Sequence, residues 1–214
     1  MPPDGDVTSI ILMRHGETAW NRERRVMGDA DIDLCEAGRL QSEAVAVVLA
    51  DFAIDRVVSS PLVRAARSAG IVCQRLGLEP EEDEDLAEVR FGRWQGLTYD
   101  EIRGDPYYRQ FLEDPINTPT PGGETVLEVQ ERARRALARA GAGERVLFVS
   151  HGDIIRTSIC HFLGLRLEEF RRVRVDNCGL TAVALAGGHV EVKFVNVLAD
   201  PERSWDPVHW SKRT

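Results

Sequence analysis

The chain alternates between short continuous apolar runs and longer stretches in which apolar residues recur every three or four positions. Ser9 to Met13, Arg56 to Ser60 and Glu144 to Ser150 are the clearest runs. Continuous rather than alternating apolarity marks strands covered on both faces, as in a parallel sheet. Helical spacing fills the gaps. Leu40, Ala44, Val47 and Val48 set a stripe on a helix beginning at about Cys35 or Glu36. Leu62, Ala66, Ala69 and Val72 mark a second helix that stops near Gly77, with Pro61 expected in its first turn, where a missing amide costs nothing. Val126, Val129, Ala133 and Leu137 mark a third, and Ile154, Ile155, Ser158 and Phe162 a fourth.

Two regions break this rhythm. Glu79 to Asp85 is a run of acids, expected to be a solvated connection without function. From Leu97 to Pro121 the periodicity loosens, and short helices around Tyr99 to Arg103 and Tyr107 to Leu112 are punctuated by Pro106, Pro115, Pro119 and Pro121. An irregular insertion of this length is usually a functional lid, here at about 90–122. Leu180 to Leu185 and His189 to Val195 read as strands joined by Ala186-Gly187-Gly188, a hairpin signal. The tail from Asp200, with Trp205 and Trp210, is expected to pack on the surface or fray. The pattern predicts one α/β domain over 1–214: three layers, α/β/α, around a mostly parallel sheet of about six strands with one antiparallel edge.

Composition narrows the partners. At 214 residues with 43% hydrophobic content, the chain is an ordinary globular sequence with room for a substantial core. A net charge of −8 argues against a nucleic-acid partner, so an anionic ligand must find a local cationic pocket. No apolar run approaches the ~20 residues of a membrane span, and the first residues lack the marks of a secretory signal. Cys35, Cys73, Cys160 and Cys178 show no Cys-x-x-Cys spacing and are expected to be incidental thiols. A cytoplasmic protein, monomer or homodimer, is the expectation.

The polar residues that interrupt the strands carry the chemistry. Two strands end in Arg14-His15-Gly16 and Ser150-His151-Gly152; a third ends in Ser59-Ser60-Pro61, with Arg64 one turn beyond. If these strands are neighbours, two imidazoles and two guanidiniums meet at the carboxyl edge, where open α/β sheets bind ligands. Phosphate fits such a cluster, because Arg pairs with its oxygens in bidentate fashion. Taken singly, a Ser-His-Gly turn can be structural, and Arg64, Asp55 and Glu88 can be surface residues. Their coincidence at strand ends is what points to a site.

Leu12 to Asn21 resembles the signature of the histidine phosphatase superfamily, in its phosphoglycerate mutase-like branch. The similarity continues, in family order, through Asp31 to Gly38 with Gln41, Ser59 to Ala69, Leu86 to Gly96, Pro121 to Thr125 and Val149 to Gly152. The resemblance implies that His15 is the nucleophile that takes the phosphoryl group. It implies that Arg14, Arg64 and His151 hold the phosphate oxygens, and that Glu88 protonates the leaving oxygen. Asn21 and the backbone of Gly16 match supporting contacts. Met27 and Gly28 fall in the loop that frames the substrate, and Gly152 follows the second histidine. No metal or other cofactor is implied. A neutral imidazole is a good in-line nucleophile, and Arg14 and Arg64 should keep position 15 neutral.

Glycolytic mutases carry Tyr and Lys where this chain has Phe91 and Tyr99, and a longer insertion with paired arginines. The segment ending Gly122-Gly123-Glu124-Thr125 resembles the phosphatase members. Met27 stands where many phosphatases have Gln, and Asp33 where many have Pro. Arg90, Arg93, Tyr107, Tyr108 and Phe111 are candidates for substrate contact from the lid, or else a packed lid core. The expected activity is a metal-independent phosphatase acting on a small phosphorylated metabolite. A 2,3-bisphosphoglycerate-dependent phosphoglycerate mutase and a catalytically weak phospholigand-binding module are the alternatives.

Overall fold

The computed structural model describes residues 7–199; the expectations for the N-terminus and for the tail from Asp200 lie outside them. In chain order the regular elements are β1 (Thr8–Arg14), α1 (Ala19–Arg22), α2 (Glu36–Leu49), β2 (Arg56–Ser59), α3 (Val63–Leu76), β3 (Pro80–Glu82), α4 (Tyr99–Arg103), α5 (Pro106–Glu113), α6 (Val126–Leu137), β4 (Arg145–Ser150), α7 (Gly152–Leu163), β5 (Leu180–Ala186) and β6 (His189–Val197). The six strands form one sheet in the order β3-β2-β4-β1-β5-β6. β3, β2, β4 and β1 run parallel, and β5 pairs antiparallel with β1. The antiparallel strand therefore lies one position inside the edge, with β6 beyond it across a turn whose Gly187 and Gly188 both take positive φ. Both are positions where a side chain would be strained.

Alternate residues of β1 feed two cores. Ile11 and Met13 pack with α2 and α3, while Ile10 and Leu12 pack with α6 and α7. A strand buried on both faces has to be continuously apolar, which is why the sequence pattern located it. Three strand ends then fall side by side, because Arg14 registers with Ser150 and Ser59 with Val149.

Three expectations need correction. In α2 the buried face is Ser42, Val45, Ala46, Val48 and Leu49; Leu40 is 56% exposed and Val47 48% exposed. At the N-terminal end of α2, Gly38 packs directly on the backbone of Glu17, where any Cβ would meet the carbonyl oxygen at 2.1 Å. Pro61 precedes α3, whose N-cap is Leu62, instead of starting it. The acidic run contains β3, a three-residue edge strand paired with β2. Its acids are engaged: Glu81 with Arg56, Asp83 with Arg139, and Asp85 with Arg135 and Arg139. Short, charged, proline-bearing strands are how sheets protect their edges.

The irregular insertion has a core of its own around Trp94, which makes edge contacts with Tyr107, Tyr108 and Phe111. Trp94 Nε1 donates to Asp105 Oδ2 at 2.8 Å, and Tyr107 Oη donates to the Pro119 carbonyl. Phe111 is buried and Tyr107 and Tyr108 pack on Trp94, so these aromatic candidates build the insertion, while Arg90 pairs with Glu124 and Arg93 with Asp105 with both side chains 66% exposed. Among the described residues no helix is long and apolar enough to cross a membrane.

Candidate active site

His15 follows the last residue of β1 and is fully buried. Its Nδ1 lies 2.7 Å from its neighbour's carbonyl, Gly16 O. A carbonyl only accepts, so Nδ1 carries the proton and Nε2 presents its lone pair. The turn is held from outside. The Gly16 amide donates to Ser68 Oγ at 2.9 Å, and Ser68 Oγ donates to the Arg64 carbonyl at 2.8 Å. Asn177 Nδ2 donates to His15 O and to Asn21 Oδ1.

His151 caps α7 at the end of β4, and its ring centroid is 5.3 Å from that of His15. Its Nε2 lies 2.8 Å from Ser60 Oγ. That hydroxyl oxygen also accepts from the Leu62 amide; its own hydrogen has no other acceptor among the described residues, so it goes to His151 Nε2 and the imidazole proton sits on Nδ1. Arg64 is fully buried in α3; its Nη1 and Nη2 donate to the carbonyls of Ala30 (2.8 Å) and Gly28 (2.7 Å). Arg14 donates through Nη1 to Val175 O at 2.8 Å.

These bonds leave four atoms over. Among the described residues, the buried side-chain nitrogens and oxygens without a partner are Arg14 Nε, His15 Nε2, Arg64 Nε and His151 Nδ1. A buried polar group left unpaired costs about 1–3 kcal/mol, so four on converging side chains mark a place prepared for a ligand. Three are donors and one is a lone pair. That set matches a tetrahedral oxyanion whose central atom faces His15.

Electrostatics supports the same division. Burial above all, then the Arg14 and Arg64 charges, pushes the His15 imidazole well below its usual range. Burial, Arg64 and His15 do the same to His151. Burial lowers Arg64 to about 10, which keeps it cationic at neutral pH. Glu88 moves the other way, up to about 7, through burial and the neighbouring Asp153 carboxylate, with Arg64 and Arg14 opposing. A carboxyl poised near neutrality can both give and take a proton. The Glu88 loop is fixed by Arg132, which donates to the carbonyls of Asp85, Ala87 and Glu88 and to both oxygens of buried Glu124.

The residues expected to support the site fall into two groups. Gly152 lies beside Arg14, where an added Cβ would stand 3.7 Å from Nε. Asn21 forms a capping box with Thr18. The Gly16 amide is taken by Ser68, so Gly16 serves through its carbonyl, on His15 Nδ1. Met27 is buried with its Sδ accepting from Thr18 Oγ1, and Gly28 gives its carbonyl to Arg64. Ser68, Asn177, Arg132, Tyr99, Asp153 and Arg156 were not singled out in the sequence as site residues. Only Ser68 and Arg132 had a local signal, a polar residue on a helix face otherwise apolar. No three His, Cys, Asp or Glu among the described residues come together as a metal site.

Residues 10–198 match the family described as histidine phosphatase superfamily (branch 1). A phosphoglycerate mutase-like protein 4 from Arabidopsis thaliana is 40% identical over 163 residues, covering 72% of this chain and 70% of its own. A probable phosphoglycerate mutase from Escherichia fergusonii is 34% identical, covering 81% and 83%. Solved structures with the same fold include a mycobacterial glucosyl-3-phosphoglycerate phosphatase (TM-score 0.79, 28% identity, 89% of this chain and 99% of that one). Another is a phosphoserine phosphatase from Entamoeba histolytica in complex with 3-phosphoglyceric acid (TM-score 0.80, 30% identity, 89% and 97%).

Proposed function

Because the chain belongs to the histidine phosphatase superfamily, we propose that it is a phosphatase hydrolysing small-molecule phosphate monoesters through a phosphohistidine on His15. The observation that carries this reading is the set of four unpartnered buried atoms on Arg14, His15, Arg64 and His151. Three phosphate oxygens take the N–H groups of Arg14 Nε, Arg64 Nε and His151 Nδ1. His15 Nε2 attacks phosphorus, the P–O bond to the alcohol breaks, and Glu88 gives its proton to the departing oxygen. In the second half Glu88, now a carboxylate, accepts a proton from water as that water attacks the phosphohistidine. Orthophosphate leaves, and both residues return to their starting states.

Charge developing on the phosphoryl oxygens falls on fixed donors in a buried site, where such interactions are strongest. The Nδ1–H bond to Gly16 O stabilises the cationic imidazole that forms on attack. The proposed reaction needs no metal, and its products are the free alcohol and orthophosphate.

The names of the two relatives raise the mutase alternative. A mutase has to retain a bisphosphorylated intermediate, which needs cations beyond the first phosphate. Here the groups acting on the Arg64 and Glu88 flanks include the acids Asp29 and Asp31 on one side and Asp153 on the other, and the nearby guanidinium of Arg156 is paired with Asp153. The deciding experiment measures orthophosphate release from a panel of esters in the presence of chelator. Isomerisation of 3-phosphoglycerate, with and without its bisphosphate, is measured in parallel. Chelator-resistant hydrolysis without bisphosphate-stimulated isomerisation is expected; isomerisation exceeding hydrolysis would overturn the reading in favour of a mutase.

A further inference from the structure

One turn beyond Gly152, α7 carries a third guanidinium that the steps above do not use. A Cβ built on Gly152 would stand 3.5 Å from Arg156 Nη1 and 3.7 Å from Arg14 Nε, so two guanidiniums border the same bare Cα. Arg156 Nε donates to Val173 O (3.0 Å) and Nη1 donates to Asp153 Oδ1 (2.7 Å). Its Nη2 makes no hydrogen bond to any described residue, and the side chain is 29% exposed. Arg156 and Asp153 act electrostatically on Glu88 and on the Tyr99 phenol as well as on each other. Glu88, the proton donor to the departing oxygen in the phosphatase reading, is thus coupled to this pair.

Charge decides what this wall accepts. With Glu88 holding its proton, three guanidiniums stand against the Asp153 carboxylate and a dianionic phosphate, and Asp29 and Asp31 on the Arg64 flank add further negative charge. Nothing is left over to neutralise a second anion on the alcohol. What remains is hydrogen-bonding capacity, from Arg156 Nη2 and the Tyr99 hydroxyl, which suits neutral oxygens. Resting on the phosphatase reading, we propose that the Asp153–Arg156 pair is the specificity determinant of the leaving-group side. It selects phosphate esters of neutral, hydroxyl-bearing alcohols and rejects those carrying a carboxylate or a second phosphate. Asp153 is the discriminating member, because it cancels the charge that would otherwise attract an acid.

The test compares glycerol 3-phosphate with 3-phosphoglycerate, which differ by a hydroxymethyl group in place of a carboxylate. The wild-type protein is expected to hydrolyse the neutral ester with the higher kcat/KM. Asp153→Asn is expected to shift the ratio of the two towards the acid on the order of tenfold, the effect of unmasking one nearby charge. Arg156→Gln should lower kcat/KM for glycerol 3-phosphate more than for an aryl phosphate that has no hydroxyl to hold. Any change in Glu88 titration acts on both esters and cancels in the ratio. A wild-type preference for 3-phosphoglycerate, or a ratio unmoved by Asp153→Asn while aryl phosphate is still turned over, overturns the inference alone. Absence of hydrolysis of every ester overturns the phosphatase reading and this inference with it.

Discussion

Replacing Glu88 with Gln should abolish the alkaline limb of the pH profile while sparing esters whose alcohol departs without a proton. With a carboxyl pKa of about 7, about half of Glu88 is protonated at pH 7 and about a tenth at pH 8. For an alkyl ester, kcat/KM, which reports the free enzyme, should fall roughly tenfold per pH unit above that point. His15 and His151 are held neutral far into the acid range, so they do not contribute to this limb. Glu88→Gln should lower kcat for the alkyl ester by about 10²–10⁴, with a much smaller loss for 4-nitrophenyl phosphate. The same shift has a stability sign. Folding raises this pKa from 4.5 to about 7, so the folded state favours the proton. The resulting stabilisation is complete below pH 4.5 and disappears as the pH rises through 7. Relative to Glu88→Gln, the wild type should lose stability between pH 5 and pH 8, up to a ceiling on the order of 3 kcal/mol. The assays are initial rates on the two esters and urea unfolding at the two pH values. An alkaline limb that persists in Glu88→Gln, or equal losses on both esters, would refute the assignment of Glu88 as the proton donor.

Other perturbations test the scaffold beneath these groups. Ser68→Ala strands the buried Gly16 amide and loosens the turn that fixes His15; kcat should fall with KM little changed, and Ser68→Thr should restore it. Gly38→Ala drives a Cβ to 2.1 Å from Glu17 O, so thermal unfolding should show a loss of about 1–3 kcal/mol together with lower activity. Arg132→Ala removes the buried ion-pair partner of Glu124 beneath the Glu88 loop and leaves it only the exposed Arg90; chemical unfolding should show a loss of about 3–5 kcal/mol.

Sequence pattern located what depends on continuous burial or on local punctuation. β1, β2 and β4 were visible because both faces are covered, and the closing hairpin because Gly187 and Gly188 supply the positive φ its turn requires. The His-Gly strand ends were visible for the same reason: an apolar run that stops in a cation and an imidazole is rare. Edge strand β3 was hidden, because an edge needs neither apolar residues nor alternation and its acids read as solvent-facing. The inner face of α2 was missed because close approach to Glu17 selects Gly38 and because Ser42 turns its hydroxyl back on the Gly38 carbonyl, so two buried positions carry no apolar signal. Ser68, Asn177 and Arg132 act through bonds to backbone atoms far away in sequence; Ser68 and Arg132 show only as polar residues on otherwise apolar helix faces, and Asn177 leaves no trace in the spacing.

If His15 is the nucleophile, its Nε2 becomes covalently phosphorylated during turnover. Brief reaction with a ³²P-labelled ester, acid-free quenching and peptide mapping detects that bond. Base-stable, acid-labile label is expected on the peptide containing His15, lost in His15→Ala together with turnover. Turnover that survives in His15→Ala, or label that maps to another residue, would contradict that role.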